Sequence, residues 1–216
     1  MPGRLTSFAV GAVLVTALGA GLALYGTGSI GSNGLGPGEP CAGSLAAARR
    51  IAPLARGEVA AMQVLDRPRP APALRFKDAQ GAEATLADLK GGTLLVNLWA
   101  TWCAPCKAEM PALDRLQAEL GGPDFGVVAI NVDTRNLDRP PAWMRENGIA
   151  RLAYYADPGG RVLPAVQRDT GSTGLPTTLL IDAQGCEVGV MKGPAEWASE
   201  DGKRLIRALL GDAGKS

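Results

Sequence analysis

Histidine is absent from all 216 residues, which removes the side chain most often used as a general base near neutral pH. Ser-His-Asp and Cys-His hydrolases are thereby excluded. The commonest zinc and copper ligand goes with it, leaving four cysteines and the carboxylates to build any metal site. A basic field is missing as well: 22 Lys and Arg stand against 21 Asp and Glu, a net charge of +1 that offers nucleic acid no attraction. No internal repeat is visible. Chemistry in this chain must rest on Cys, Asp, Glu or Lys. Its length and 46% hydrophobic content suit one compact domain plus an appendage.

Charge is also lacking from Leu5 to Gly38, and Phe8 to Tyr25 is apolar apart from Thr16. At a rise of about 1.5 Å per residue, that stretch is just long enough to cross a hydrocarbon core of roughly 30 Å. Residues 1–25 therefore read as a short cytoplasmic stub and a transmembrane anchor. Arg4 and the amino terminus carry the only nearby positive charge, so the remainder faces outward, into the periplasm of a cell with an inner membrane. A cleaved signal peptide is the competing reading, since Ala17, Gly19, Ala20 and Gly21 are small residues of the kind a signal peptidase accepts. Either choice exports the domain. A buried core helix would be left with no polar face to meet water. Residues 26–40, rich in Gly and Ser, read as a flexible tether, and residues 41–216 remain for the domain.

Within that domain, Leu45, Ala48, Ile51 and Leu54 fall at helical spacing, with Ser44 available as a cap. Pro68, Pro70 and Pro72 break the pattern. Leu74 to Phe76 reads as a strand, and Thr93 to Leu98 as a strand buried on both faces, with Leu94 to Trp99 central in a sheet. From Cys106 to Leu120 an amphipathic helix carries Met110, Leu113, Leu116 and Leu120 on one side, and Pro111 should kink it without ending it. Phe125 to Val132 is a further buried strand, Ala142 to Asn147 a helix, and Leu152 to Tyr155 a short strand. Thr178 to Ile181 and Cys186 to Met191 flank a turn and read as an antiparallel hairpin. A final helix starts near Ser199, with Glu200 and Asp201 in its first turn. The sum is an α/β domain, a mixed sheet covered by helices.

Cys103-Ala104-Pro105-Cys106 sits where a buried strand hands over to a helix. A CxxC alone is ambiguous between zinc and redox chemistry. At a helix start, however, the first sulfur lies near unsatisfied backbone N–H groups and the positive end of the dipole, which favour thiolate over thiol. Cys103 is the expected nucleophile, and Cys106 lies within reach to resolve a mixed disulfide. Pro105, lacking an N–H, suits the first helical turn. Cys41 and Cys186 have no CxxC partner; in an exported domain an even cysteine count favours a structural disulfide, two free buried thiols being the alternative.

The stretch Val96 to Lys107, followed by Pro111, resembles the thioredoxin superfamily. Asn97 to Cys103, Glu109 to Leu113, Pro176-Thr177-Thr178, Gly185-Cys186-Glu187 and Gly193 to Trp197 together resemble its TlpA branch of membrane-anchored thiol-disulfide interchange proteins. The resemblance implies a thioredoxin-like fold with a helical extension at its amino-terminal end, and a Cys41–Cys186 disulfide. It also implies a cis bond at Leu175–Pro176 beside the cysteine pair, where an extended substrate segment is held. Leu-Pro-Thr-Thr by itself is only a turn. Typical thioredoxins place a buried Asp where this chain has Asn97, so Glu109, three residues after Cys106, is the expected general acid or base, a solvated helix Glu being the alternative. Trp102 is expected to cover the pair and shape the docking surface, or else simply to pack.

Reduction of protein disulfides is the implied activity, without cofactor or metal. The implied substrates are the copper chaperone and copper-bearing subunit of cytochrome oxidase in assembly, and the electron donor a membrane thiol carrier of the CcdA or DsbD kind. A disulfide-forming oxidase of the DsbA kind is the alternative within redox chemistry. A cysteine-based metal module is the rival outside it, although structural zinc sites usually pair two short spacings and only one occurs here. A non-catalytic docking domain is the remaining rival.

Overall fold

A computed structural model describes residues 39–89 and 92–211. The expected anchor and nearly all of the tether lie outside the described residues, among which no helix is long and apolar enough to cross a membrane. The sheet is built from β1 (Met62–Pro70), β2 (Arg75–Lys77), β3 (Glu83–Thr85), β4 (Thr93–Trp99), β5 (Phe125–Asn131), β6 (Tyr155–Ala156), β7 (Thr177–Ile181) and β8 (Cys186–Lys192). Their spatial order is β1-β8-β7-β4-β5-β6-β2-β3. β4 runs parallel to β5 and antiparallel to β7, so the sheet is mixed. The helices are α1 (Leu45–Ile51), α2 (Ala104–Leu120), α3 (Arg139–Glu146), α4 (Val162–Thr170) and α5 (Glu200–Leu210).

Every residue of β4 is buried, as its continuous apolar run requires of a strand with neighbours on both edges and cover on both faces. That burial fixes where the strand ends, and the redox motif starts four residues later. α2 continues unbroken through Pro111. The β7–β8 hairpin forms as expected. Gly185, at φ 80°, closes its turn in the left-handed region, which a side chain would resist. Ser199 caps α5 by accepting a hydrogen bond from the Gly202 N–H at 3.1 Å.

Three expectations are corrected. Ser44 does not cap α1: it sits in a helical conformation inside a preceding 3-10 turn and makes no capping bond. Pro68 and Pro70 do not end regular structure but lie in β1, whose pairing with β8 shifts register between Val64 and Arg69. As the outermost strand, β1 needs no N–H on its open side, so proline is tolerated there. The strand expected over 152–155 reduces to two residues, Tyr155–Ala156. β3 and α4 were not anticipated; α4 carries Pro164 in its first turn, and its Val162 N–H is taken by the Asp157 carboxylate at 2.6 Å.

Cys41 and Cys186 form a disulfide, which ties the chain just ahead of α1 to the first residue of β8. β8 begins beside the end of β7, which pairs with the start of β4. The bond therefore stands at the pole of the sheet opposite Cys103. Closing a loop across 145 residues restricts the unfolded chain strongly. Replacing both residues (Cys41→Ala with Cys186→Ala) should lower stability by up to about 5 kcal/mol. Urea unfolding of the double variant, followed by far-UV circular dichroism, reads this; an unchanged midpoint would contradict a structural role.

Candidate active site

The site is assembled where β4 passes into α2. The Val132 N–H donates to the Trp99 carbonyl at 2.9 Å, and the Cys103 N–H to that of Ala100 at 3.1 Å. The Thr101 N–H donates to Oδ2 of the buried Asp133 at 2.9 Å, and Asn131 holds the same oxygen at 2.8 Å. The three-residue bridge from Ala100 to Trp102 is thus anchored on both sides.

Cys103 is the N-cap residue of α2, in extended conformation, and its sulfur accepts the Cys106 N–H at 3.2 Å. Pro105 lies in the first turn, where its missing N–H costs no bond. Cys103 and Cys106 are joined in a disulfide, with the outer sulfur's residue 6% exposed and the inner one fully buried. When the pair is reduced, the same N–H and the aligned peptide dipoles of α2 favour negative charge on Cys103. Cys103 is thus both the less buried of the two and the one placed at the helix start.

Leu175 and Pro176 precede β7, the neighbour of β4, and the bond between them is cis, as the resemblance implied. Pro176 is buried and Leu175 half-buried. Trp102 does not pack: it is 67% exposed, the most open large hydrophobic among the described residues, immediately before the nucleophile.

Glu109 is not a solvated helix residue. It is 4% exposed, with Oε1 accepting from the Asn97 side-chain amide at 2.7 Å and Oε2 from the Ala195 N–H at 3.1 Å. Burial pushes its carboxyl up to about 7, against the opposing pull of Asn97, Ala195 and the nearby Trp197 indole. The indole N–H completes no hydrogen bond of its own. A carboxyl poised near 7, one helical turn beyond Cys106, can give up or take on a proton at neutral pH. Sequence reasoning assigned no role to Asp133, Thr178, Ala195 or Trp197. The last three lie in stretches that carried the resemblance, which was the available signal, while nothing in the sequence distinguished Asp133 from a loop carboxylate.

Residues 68–186 match the AhpC/TSA family. Among similar proteins, the thiol:disulfide interchange protein HelX of Rhodobacter capsulatus is 35% identical over 128 residues, 57% of this chain and 66% of HelX. The thiol-disulfide oxidoreductase ResA of Bacillus subtilis is 32% identical over 123 residues, 57% of this chain and 65% of ResA. The chain thus spans about two thirds of the length of these relatives. The solved structure of a thiol:disulfide interchange protein of the thioredoxin family from Chlorobium tepidum superposes with a TM-score of 0.54 at 33% identity, covering 67% of this chain and 98% of that one. The fold is thioredoxin-like.

The raised carboxyl makes stability depend on pH. At pH below 4.5 Glu109 is protonated whether the chain is folded or unfolded; between 4.5 and about 7 only the folded chain keeps the proton. Stability contributed by that proton is full below this window, falls as pH rises through it and is gone above it, a change of up to about 3 kcal/mol. Glu109→Gln should lack this slope. Urea unfolding of both proteins from pH 4.5 to 8 measures it, and parallel curves would refute the assignment.

Proposed function

Because the chain belongs to the AhpC/TSA family, we propose that it is a thiol-disulfide oxidoreductase of the ResA, HelX and DsbE type, exchanging through Cys103 and Cys106. The observation that carries this reading is the Cys103 sulfur at the head of α2, bonded to the Cys106 N–H.

In the reducing direction, the Cys103 thiolate attacks one sulfur of a substrate disulfide. A Cys103–substrate disulfide forms and the other substrate sulfur leaves as a thiolate. Cys106 then loses its proton to the Glu109 carboxylate and attacks the Cys103 sulfur, forming the Cys103–Cys106 disulfide and expelling the second substrate thiolate. Two electrons pass from the pair to the substrate, whose thiolates take up protons. An external dithiol must restore the pair. Trp102, Pro105, Leu175 and Pro176 supply the surface on which an extended segment docks against Cys103.

The proposed direction is reduction, supported by the Ala-Pro dipeptide between the cysteines and by the flanks shared with the TlpA branch. On the same support, the substrates are disulfides of the copper chaperone and copper-bearing subunit in cytochrome oxidase assembly, and the donor a membrane carrier of the CcdA or DsbD kind. The proposed location is the periplasmic side of the inner membrane. An uncharged apolar stretch over residues 8–25 and a long-range disulfide, the kind of bond that persists in oxidising compartments, support it.

Cys106→Ser should trap substrates on Cys103 as mixed disulfides that reducing agent releases, and Cys103→Ser should trap none. Equilibration of the wild type with glutathione should give a potential near that of thioredoxin, about −270 mV. A value near about −120 mV would reverse the direction, and failure of the pair to exchange with glutathione would remove the function altogether.

A further inference from the structure

Asn97 lies in the middle of β4 and is fully buried. Both hydrogens of its side-chain amide are used: one goes to Glu109 Oε1 at 2.7 Å, the other to the Thr178 hydroxyl on β7 at 2.9 Å. Its carbonyl oxygen, equally buried, has no partner. An unpaired acceptor in a core costs free energy unless some state of the protein uses it. The neighbour that changes its hydrogen-bonding needs is Glu109. Ionised, the carboxylate only accepts, and the amide nitrogen serves it. Protonated, it carries an O–H that needs an acceptor, and a half-turn of the Asn97 amide would present Oδ1 in place of Nδ2, leaving the amide hydrogens unpaired and so holding this form less firmly than the ionised one. Thr178 can follow that turn, because a hydroxyl donates as readily as it accepts.

We propose that Asn97 is a positioning residue that holds the Glu109 carboxyl group in both of its protonation states, and so lets that group take up and release a proton inside the core. An aspartate at this position could accept but not donate, and a leucine could do neither. Asparagine does both while remaining neutral.

The groups packed around the carboxyl leave this amide without electrostatic competition. On α2 itself Cys106 stands one turn before it, in its disulfide. β4 contributes Asn97, whose amide is anchored in turn by Thr178 of β7, while the segment before α5 contributes the Ala195 N–H and the Trp197 indole. Glu196, in the same segment, is turned outward in an ion pair with Arg115 at 2.8 Å. No charged side chain is among the groups that shift Glu109, so neutral hydrogen bonds alone oppose the effect of burial.

The part played by Asn97 in exchange rests on the function proposed above, whereas its hold on Glu109 does not, and two measurements separate them. The first is the carboxyl-carbon NMR shift of Glu109 followed against pH in the oxidised protein, which needs no activity. The bond from the amide to the ionised carboxylate is charge-assisted and the stronger of the two, so Asn97→Leu should raise the midpoint by about one pH unit or more, a tenfold change in proton affinity, and Asn97→Asp should raise it further by setting a second carboxylate beside the first. The Asn97 side-chain amide resonances of the wild type should move with the same midpoint as Glu109. The second measurement is the pH profile of exchange with glutathione disulfide, whose inflection should shift by the same amount in each variant.

A folded Asn97→Leu protein whose Glu109 midpoint coincides with that of the wild type would overturn the proposal. Should that variant not fold, Thr178→Val takes its place: loss of the second anchor of the amide should raise the midpoint by a smaller amount, and an unmoved midpoint is again fatal. A wild type that titrates as expected but exchanges no disulfide would sink the functional reading, and the kinetic role of Asn97 with it, while the hold on Glu109 stands.

Discussion

The hydrogen bond from the Cys106 N–H to the Cys103 sulfur, 3.2 Å long, forms only if α2 begins at one particular residue, and most of the structure around the site serves to fix that start. β4 cannot slide, because all seven of its residues are buried between β7 and β5 and a one-residue slip would exchange its two faces. The bridge beyond it is held at Trp99, Ala100 and Thr101. Pro105 then favours helix at the first turn and leaves no donor unsatisfied there. A helix starting one residue later would leave the outer sulfur with neither the N–H nor the dipole, and its thiol no more acidic than a free one.

The second constraint is a carboxyl group inside the core. Burying Glu109 disfavours its charge, and the three neutral donors around it offset only part of that effect, leaving the group poised near 7. A single group with that balance can serve as base when Cys106 attacks and as acid when Cys106 leaves. Asn97 and Ala195 reach it from β4 and the segment before α5, and Thr178 on β7 anchors the Asn97 amide, so its environment exists only in the assembled fold. The Cys41–Cys186 bond secures the far pole of the same sheet and keeps the chain's entry away from the reacting sulfurs.

Much of this was legible in the chain because it is written in local patterns. The apolar run of β4, the heptad-like stripe of α2 beyond the cysteines, the Asp-Ala-Gln-Gly turn and the Ser199 cap each state their structure within a few residues. β1 was not legible, since prolines signal a break unless the strand is known to be an edge, and edge position is a property of the finished sheet. β3, at three residues, is too short to show a period, and Pro164 hid α4 because a first-turn proline looks like a breaker until the turn is located. For the site, the sequence named Cys103, Cys106 and Glu109, but the alternative of a solvated Glu109 fell only to burial and to partners 12 and 86 residues away in the chain. Asp133, which holds the bridge, left no mark that a sequence pattern could read.

What the account needs above all is a thiolate at the head of α2. Titrating the reduced protein by the ultraviolet absorbance of the thiolate, with Cys103→Ser as the reference, tests this directly. The account predicts that Cys103 ionises well below the value of about 8.5 for free cysteine, and that the transition disappears in the variant. A Cys103 thiol as basic as free cysteine would contradict it.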